Sequence, residues 1–188
     1  MTPHLYGLSA LGAAASLLGT TARSGPVIKE LQGDLLLSKA AAIAHGVAPN
    51  DPFSQGLALA LRKNWPALYK DFRHYCQTYH PKPGTLWTWA GANGIRIVNL
   101  FTQEPVEGHH GGRPGRASLK YVGQALKALH QLAEQERFAS LALPRLATGV
   151  GGLAWADVKP LIEQHLGTLP IPVYVYSTYV ANVAGHEA

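Results

Sequence analysis

The segment from Ala147 to Leu153 has the composition best suited to binding an anion. It reads ATGVGGL, with three glycines in four positions, and it follows an apolar stretch at residues 140–143. Glycine lets the main chain adopt positive φ and approach a ligand without an intervening Cβ atom. A helix predicted to begin near Trp155 adds free amide groups and the positive end of its dipole. Two interpretations follow, a backbone cradle for a phosphate and a plain tight connection between strand and helix.

Several polar side chains also lie at the ends of apolar stretches. They are Asp34, His45 and the pair Thr102-Gln103. Asp34 is either a hydrogen-bond acceptor for a ligand or the cap of a turn. His45 either transfers a proton near neutral pH or is a buried side chain bonded to loop backbone.

The elements that must position these residues alternate in type after residue 26. Apolar runs predict strands at residues 27–32, 41–46, 85–90, 95–101, 140–143 and 171–177, of which 85–90 and 95–101 form a hairpin-like pair. Apolar residues at every third or fourth position predict helices at 57–76, 119–133 and 155–166. Pro66 is expected to restart the first of these helices. This order predicts an α/β fold, a three-layer α/β/α sandwich with a central mixed, mostly parallel sheet. Ligands bind beyond the carboxyl ends of such strands, so the polar residues and the glycine-rich turn are expected to meet there.

Composition predicts one compact domain with an anionic partner. The 188 residues are 47% hydrophobic and 14% charged, which argues against long disordered tracts. The net charge of +5 favours anions without distinguishing a small phosphorylated molecule from nucleic acid. Trp87 and Trp89 occupy alternate strand positions, so they face one side and fit a buried face better than a base-stacking platform.

Cysteine and histidine usage predicts neither a disulfide nor a metal site. Cys76 is the only cysteine, at the end of an apolar helical stripe, and we expect a buried thiol there. The pair His109-His110 has no second ligand pair at helical spacing. Residues 5–19 are apolar but too short to span a bilayer and have no basic residue before them, so we expect an N-terminal extension, with a signal peptide as the alternative. The predicted location is cytoplasmic, without membrane association.

The order and spacing of four motifs resemble the macrodomain, the ADP-ribose-binding α/β/α module. The motifs are Gly33-Asp34-Leu35, Ile43-Ala44-His45-Gly46 through Gly56-Leu57-Ala58, Val98 through Gln103, and Leu143 through Trp155. The resemblance divides the chain into an N-terminal apolar extension (1–26), a macrodomain (27–178) and a C-terminal tail (179–188). Within the superfamily the chain is most similar to the branch of terminal ADP-ribose glycohydrolases, antitoxins of DNA ADP-ribosylating toxins and yeast-type ADP-ribose phosphate phosphatases.

The resemblance implies a set of ligand contacts. Asp34 accepts a hydrogen bond from the adenine amine, a first loop surrounds the distal ribose and a phosphate, and a second loop wraps the pyrophosphate. The implied residues are Asp34, Leu35, Asn50, Ser54, Gln55, Gly56, Thr102, Gln103, Thr148, Gly149, Val150, Gly151 and Gly152. Phe53, where related proteins have a small residue or Met, is expected to narrow the ribose pocket.

Catalytic positions depart from the family pattern. The glycohydrolases of this branch use a nucleophilic lysine and an acid/base aspartate, and the matching positions here hold Gln103 and Gly151. An amide forms no sugar adduct and glycine transfers no proton, so the lysine-dependent mechanism is absent. The resemblance implies that the phosphatase-like members carry a histidine at the place of His45, and Asp51 or Asn50 is expected to orient it or the substrate.

The predicted function is binding of ADP-ribose or terminal ADP-ribosyl groups, with hydrolysis of a phosphate or ester derivative by a lysine-independent, water-mediated mechanism kept open. The alternative is a non-catalytic ADP-ribose reader, and nucleic-acid binding is the third class. The expected partner is ADP-ribose or an ADP-ribosylated macromolecule, and nucleic acid only if it carries ADP-ribose. No cofactor or metal is predicted, and the sequence leaves the oligomeric state open.

Overall fold

The computed structural model describes residues 28–107 and 112–188. The predicted N-terminal extension and the pair His109-His110 lie outside the described residues. Within the described part, no helix combines the length and apolar character needed to cross a bilayer. The same residues contain no group of three or more His, Cys, Asp or Glu side chains arranged to hold a metal ion.

Six strands in the described part form one mixed sheet. They are β1 (Ile28–Gly33), β2 (Ala42–Val47), β3 (Leu86–Ala90), β4 (Arg96–Phe101), β5 (Leu141–Pro144) and β6 (Val173–Tyr179). Their order across the sheet is β1-β6-β5-β2-β4-β3. Every neighbouring pair is parallel except β3 and β4, which are antiparallel. The predicted mixed, mostly parallel sheet and the hairpin-like pair are confirmed.

Four α-helices of the described residues cover the two faces of this sheet. They are α1 (Gly56–Asn64), α2 (Pro66–Tyr79), α3 (Leu119–Gln135) and α4 (Trp155–Leu166). Short 3-10 helices span Leu35–Leu37 and Ala92–Gly94. Pro66 occupies the first turn of α2, where its missing N–H costs nothing, so the predicted restart is confirmed.

Two apolar cores separate the three layers of the sandwich. One packs α3 and α4 against the sheet and includes Leu126 and Val158. The other packs α1 and α2 on the opposite face and includes Cys76 and Trp89, with Trp87 packed against it. The predicted burial of the Cys76 thiol and of the tryptophan-bearing face is therefore confirmed. Burial raises the pKa of Cys76 to about 11, so its reactive thiolate form is scarce at neutral pH.

The carboxyl ends of five parallel strands share one edge of the sheet. Asp34 follows β1, His45 lies near the end of β2, Thr102 follows β4, and the glycine-rich turn follows β5. The topology thus gathers at one edge residues that are far apart in sequence.

Candidate functional site

A cleft of about 390 Å³ opens at this edge, between the loop after β2 and the loop after β5. Next to it lies a more apolar recess of about 440 Å³ whose walls include Asp34 and Leu35. The predicted residues lining the cleft are His45, Asp51, Ser54, Gln55, Gly56, Gln103, Thr148, Gly149, Val150 and Gly151. Asn50, Thr102 and Gly152 are not among the lining residues of either cavity. Both volumes lie in the range of small-molecule sites.

The glycine-rich turn lines the cleft and carries backbone N–H groups that have no acceptor among the described residues. Its internal hydrogen bonds run from Gly152 N to Gly149 O (3.1 Å) and from Leu153 N to Ala147 O (3.0 Å). Within the described residues, none of the backbone N–H groups from Thr148 to Gly151 donates to a protein acceptor. Gly152 has φ of +77°, a conformation that disfavours a side chain. Four successive unpaired amides at a cavity wall are the chemistry of an anion-binding site.

Gly151 is a glycine because its surroundings leave no room for a side chain. A Cβ atom at this position would lie 2.6 Å from the carbonyl oxygen of Ala147 and 2.9 Å from the Cβ of Ala117. Gly151 O also accepts a hydrogen bond from Ala117 N at 3.2 Å, which holds the two segments together. The backbone of this chain therefore excludes an aspartate at position 151.

Gln103 closes the base of the loop that follows β4. Its side chain is buried, and its Nε2 donates to the carbonyl oxygen of Gly115 at 3.0 Å. A β-bridge to Ala117 continues the same contact. The Oε1 atom of this amide has no partner among the described residues, and the residue lines the cleft. Gln103 thus ties the two ends of the loop together.

His45 is a neutral, buried imidazole. Its Nε2 lies 2.7 Å from Asn99 Oδ1, and Asn99 Nδ2 donates to Trp87 O at 3.2 Å. Because the Asn99 amide nitrogen is used as the donor, Oδ1 is the acceptor and the His45 proton is on Nε2. Burial, only partly offset by the bond to Asn99, lowers the pKa of His45 to about 4. Near neutral pH its Nδ1 is therefore a hydrogen-bond acceptor, and the ring carries no positive charge.

Asp51 stabilises the loop at residues 48–55, between β2 and α1, by hydrogen bonds to its backbone. Its Oδ2 accepts from Ala48 N at 3.1 Å and its Oδ1 from Phe53 N at 2.9 Å. Burial raises the pKa of the Asp51 carboxyl above its ordinary value, against the lowering effect of the two amides. Phe53 is held at φ of +50°, an uncommon conformation for a bulky residue. Both oxygens of the Asp51 carboxylate thus accept hydrogen bonds that hold the conformation of its own loop.

Phe53 lines neither the cleft nor the recess, so the expectation that its side chain narrows a binding pocket is wrong. The ring is fully buried and packs at 4.7 Å between centroids on Phe72, with an edge-to-face contact to His45 at 5.6 Å. The positive φ of this residue turns its side chain into the core under α1 and α2, away from the cleft.

Asp34 caps the turn that follows β1 and also forms a wall of the apolar recess. Its Oδ1 accepts from Leu36 N at 3.0 Å, and its Oδ2 accepts from Asn182 N at 3.1 Å. The turn-capping interpretation is therefore confirmed. Each carboxylate oxygen retains a second lone pair that a ligand donor can use.

Sequence reasoning missed residues at the end of β6 and beside the glycine-rich turn. Tyr176 and Tyr179 line both cavities, and Arg145 lines the cleft with its guanidinium 5.5 Å from the Trp155 ring centroid. Burial, with the hydrogen bond to Glu187, raises the pKa of the Tyr176 hydroxyl well above its usual range. The only available signal was the alternation of tyrosines in the last strand.

A three-layer α/β/α sandwich whose five parallel strands end at one edge, beside a glycine-rich turn and an apolar recess, defines an α/β domain of the kind that binds ligands at the carboxyl ends of its strands. A family model described as the Macro domain matches residues 44–162. The chain belongs to this family, and the recognition made from the sequence motifs is confirmed.

Two curated relatives and two solved structures illustrate the match. The DNA ADP-ribosyl glycohydrolase of Thermus aquaticus is 28% identical over 165 residues, covering 86% of this chain and 44% of that protein. The ADP-ribose 1''-phosphate phosphatase of Ajellomyces capsulatus is 36% identical over 63 residues, covering 33% of this chain and 24% of that protein. The chain therefore spans less than half the length of these relatives.

The solved macrodomain of Thermus aquaticus DarG superposes with a TM-score of 0.70 at 27% identity, covering 80% of this chain and 97% of that one. Thermosipho africanus DarTG in complex with ADP-ribose gives a TM-score of 0.70 at 21% identity, covering 84% of this chain and 42% of that one. The first shares fold and sequence with this chain, and the second supports the fold alone.

Proposed function

We propose that the protein binds ADP-ribose, or a terminal ADP-ribosyl group, in the cleft and its adjoining recess. The observation that carries the proposal is the row of unpaired amides from Thr148 to Gly151 next to a recess walled by an acceptor carboxylate. A site for a nucleoside diphosphate sugar needs both features. The diphosphate needs hydrogen-bond donors, and the base needs an apolar pocket with a polar group at its edge. Relatives named for acting on ADP-ribosyl groups add support.

In the proposed complex the adenine occupies the recess beside Leu35, and its exocyclic amine donates to the Asp34 carboxylate. The pyrophosphate accepts from the amides of the glycine-rich turn, for which the backbone conformation of Gly152 is required. The distal ribose lies among Ser54, Gln55, Gly56 and Gln103, the residues of the predicted set that line the cleft.

Calorimetric titration with ADP-ribose tests this proposal directly. We expect saturable binding, weakened at least tenfold in Gly151→Ala, because a Cβ at that position displaces Ala147 and Ala117 and with them the turn. Gly123→Ala is the matched control, since a Cβ there meets only His165 Nε2 at 3.7 Å. Absence of binding by the unaltered protein at millimolar ligand ends the proposal.

We further propose that any hydrolysis uses water and the free Nδ1 of His45 as its base, with Asp51 holding the loop. The candidate substrates are ADP-ribose phosphate and ADP-ribosyl esters. Incubation with each, followed by quantification of released ADP-ribose, tests this step. His45→Ala should abolish turnover while binding persists, and unchanged turnover removes His45 from the mechanism.

A non-catalytic reader is the second candidate. It is favoured by the Asp51 carboxylate being committed to two backbone amides, and by the bond from Gln103 to Gly115 at the position of the family's lysine. Binding without release of product from any ADP-ribosylated protein, DNA or phosphate substrate assigns this role. The ligand-bearing macromolecule and a cytoplasmic location remain predictions that pull-down and cell fractionation address.

A further inference from the structure

The segment after β6 folds back on the start of the domain. We call residues 180–188 the strap. Val180 N donates to Gly33 O at 3.1 Å, and Asp34 N donates to Val183 O at 2.7 Å. Asn182 N then donates to Asp34 Oδ2 at 3.1 Å. The strap therefore forms hydrogen bonds with both the backbone and the side chain of Asp34, which lines the apolar recess.

One carboxylate anchors the far end of the strap. Glu187 Oε1 accepts from Ser38 Oγ and from Tyr176 Oη, each at 2.5 Å, and Oε2 accepts from Lys39 N at 3.1 Å. The Glu187 carbonyl oxygen also accepts from Tyr174 Oη at 2.7 Å. Hydrogen bonds to an ionised acceptor are the stronger kind, and three converge on this one group.

Two glycines show that the strap and the domain fit closely. A Cβ atom at Gly33 would lie 2.8 Å from Gly185 N and from Val183 O. A Cβ atom at Gly185 would lie 2.7 Å from Tyr176 Oη. The two chain segments are thus in direct backbone contact, which side chains at either position would prevent.

The strap supports the recess without filling it. Tyr176 and Asp34 line the recess, whereas the residues of the strap do not. Leu36 N holds one oxygen of Asp34 and Asn182 N the other, so the carboxylate plane is fixed from both sides. A fixed acceptor discriminates between ligand donors better than a mobile one, because no ordering is needed on binding.

We propose that Glu187 is a positioning residue for base recognition, acting through the strap and Tyr176 to hold Asp34 in the orientation that accepts an adenine amine. This inference rests on the proposed function. If the inference holds, the selectivity of the recess for an amino-purine depends on the Glu187 carboxylate, which does not line the recess.

The test compares two ligands in the 188-residue chain by calorimetry. Inosine diphosphate ribose carries a ring carbonyl where ADP-ribose carries the amine, and an N–H donor where adenine has the acceptor N1, so the ratio of the two dissociation constants reports on recognition of this base edge, which the proposed complex places at Asp34. Glu187→Ala should weaken ADP-ribose binding by about five- to tenfold and inosine diphosphate ribose binding by less than about twofold. Glu187→Gln, which keeps an acceptor for the two hydroxyls, should give an intermediate ratio. An unchanged ratio overturns the inference, even if both affinities or the thermal stability fall.

Two further variants separate the strap from general effects of mutation. Gly185→Ala pushes the strap off Tyr176 without altering charge, and it should reproduce the loss of selectivity. Lys29→Ala removes only the exposed contact from Lys29 Nζ to Ala188 O, and it should leave the ratio at the wild-type value. A wild-type ratio in Gly185→Ala contradicts the proposed route through the strap.

Amide hydrogen exchange distinguishes failure of the inference from failure of the proposed function. The Asp34 and Asn182 amides should exchange slowly in the unaltered protein and faster in Glu187→Ala, with or without ligand. If the unaltered protein binds neither nucleotide, the proposed function fails and the positioning role fails with it. If it binds ADP-ribose but these amides already exchange fast, only the inference is overturned.

Discussion

At the scale of single residues, the cleft is shaped by what its backbone allows. Gly151 is confined by Ala147 and Ala117, and Gln103 is tied to Gly115. The resemblance to the glycohydrolases implies that these two positions correspond to their aspartate and lysine. A change of residue at either position would therefore also disturb the packing or hydrogen bonding of its neighbours in this chain.

The double substitution Gln103→Lys with Gly151→Asp should fail to create glycohydrolase activity. Aspartate at position 151 overlaps Ala147 O and displaces the turn, and lysine at position 103 loses the bond to Gly115. We expect destabilisation by roughly 1–3 kcal/mol from the forced overlap. The measurement is release of ADP-ribose from ADP-ribosylated DNA, with Gln103→Lys alone as the control that spares the turn. Turnover by the double variant would show that the backbone at position 151 is not restrictive.

The buried imidazole of His45 should make stability fall in mild acid. Its pKa of about 4 in the folded chain lies below the ordinary 6.5, so protons bind the unfolded chain more tightly. Stability is therefore full above pH 6.5 and declines as the pH falls toward 4, by up to roughly 3 kcal/mol. Asp51 acts in the opposite sense, since its raised pKa adds stability at low pH that is lost as the pH rises through it. Urea unfolding of the unaltered protein and of His45→Gln across this range isolates the histidine, and parallel curves would contradict the assignment.

At the scale of elements, the loop between β2 and α1 depends on one side chain. The Asp51 carboxylate accepts hydrogen bonds from the amides of Ala48 and Phe53. Phe53 has a positive φ, and its side chain is buried in the core under α1 and α2. Asp51→Ala leaves two donors near the protein interior without acceptors. We expect a loss of roughly 2–4 kcal/mol in unfolding free energy, together with weaker ADP-ribose binding, as this loop lines the cleft.

The control for this variant is Asp71→Ala, which removes a single hydrogen bond from Trp89 Nε1 at an exposed carboxylate. It should cost less than about 1.5 kcal/mol and leave the affinity unchanged. Equal losses in the two variants would mean that Asp51 has no special role in the loop.

Elements with a periodic apolar pattern were predictable from the sequence, and non-periodic contacts were not. The strands, the three helical stripes and the restart at Pro66 follow from local residue types. The strap lacked such a signal, because its fixation comes from single polar bonds such as Glu187 to Ser38, across 149 positions of chain. The inward turn of Phe53 was also unreadable, since nothing in the residue type indicates positive φ. The two loops were proposed as ligand contacts through the family resemblance. The structure alone shows that the amides from Thr148 to Gly151 have no acceptor among the described residues.

At the scale of the whole molecule, the net charge of +5 is not concentrated in the cleft. Arg145 is the only lysine or arginine among the described residues that line the cleft, and the lining also includes the acidic residue Asp51. The proposed recognition of the diphosphate therefore depends on neutral backbone amides at short range. The surplus positive charge lies elsewhere on the surface, for example at Lys63, Lys70 and Arg73 on α1 and α2.

This distribution predicts a weak dependence of ADP-ribose affinity on salt. Between about 50 and about 500 mM salt the dissociation constant should rise by less than about threefold, because short-range hydrogen bonds to amides are screened far less than contacts between separated surface charges. Binding of DNA without ADP-ribose through the basic surface of α1 and α2 would instead weaken steeply, by orders of magnitude, because each neutralised phosphate releases counterions. Paired titrations with ADP-ribose and with an unmodified oligonucleotide measure the two slopes, and Lys70→Ala with Arg73→Ala should leave the ADP-ribose slope unaltered. A steep slope for ADP-ribose would mean that cations outside the cleft hold the diphosphate, and the role proposed for the glycine-rich turn would then be wrong.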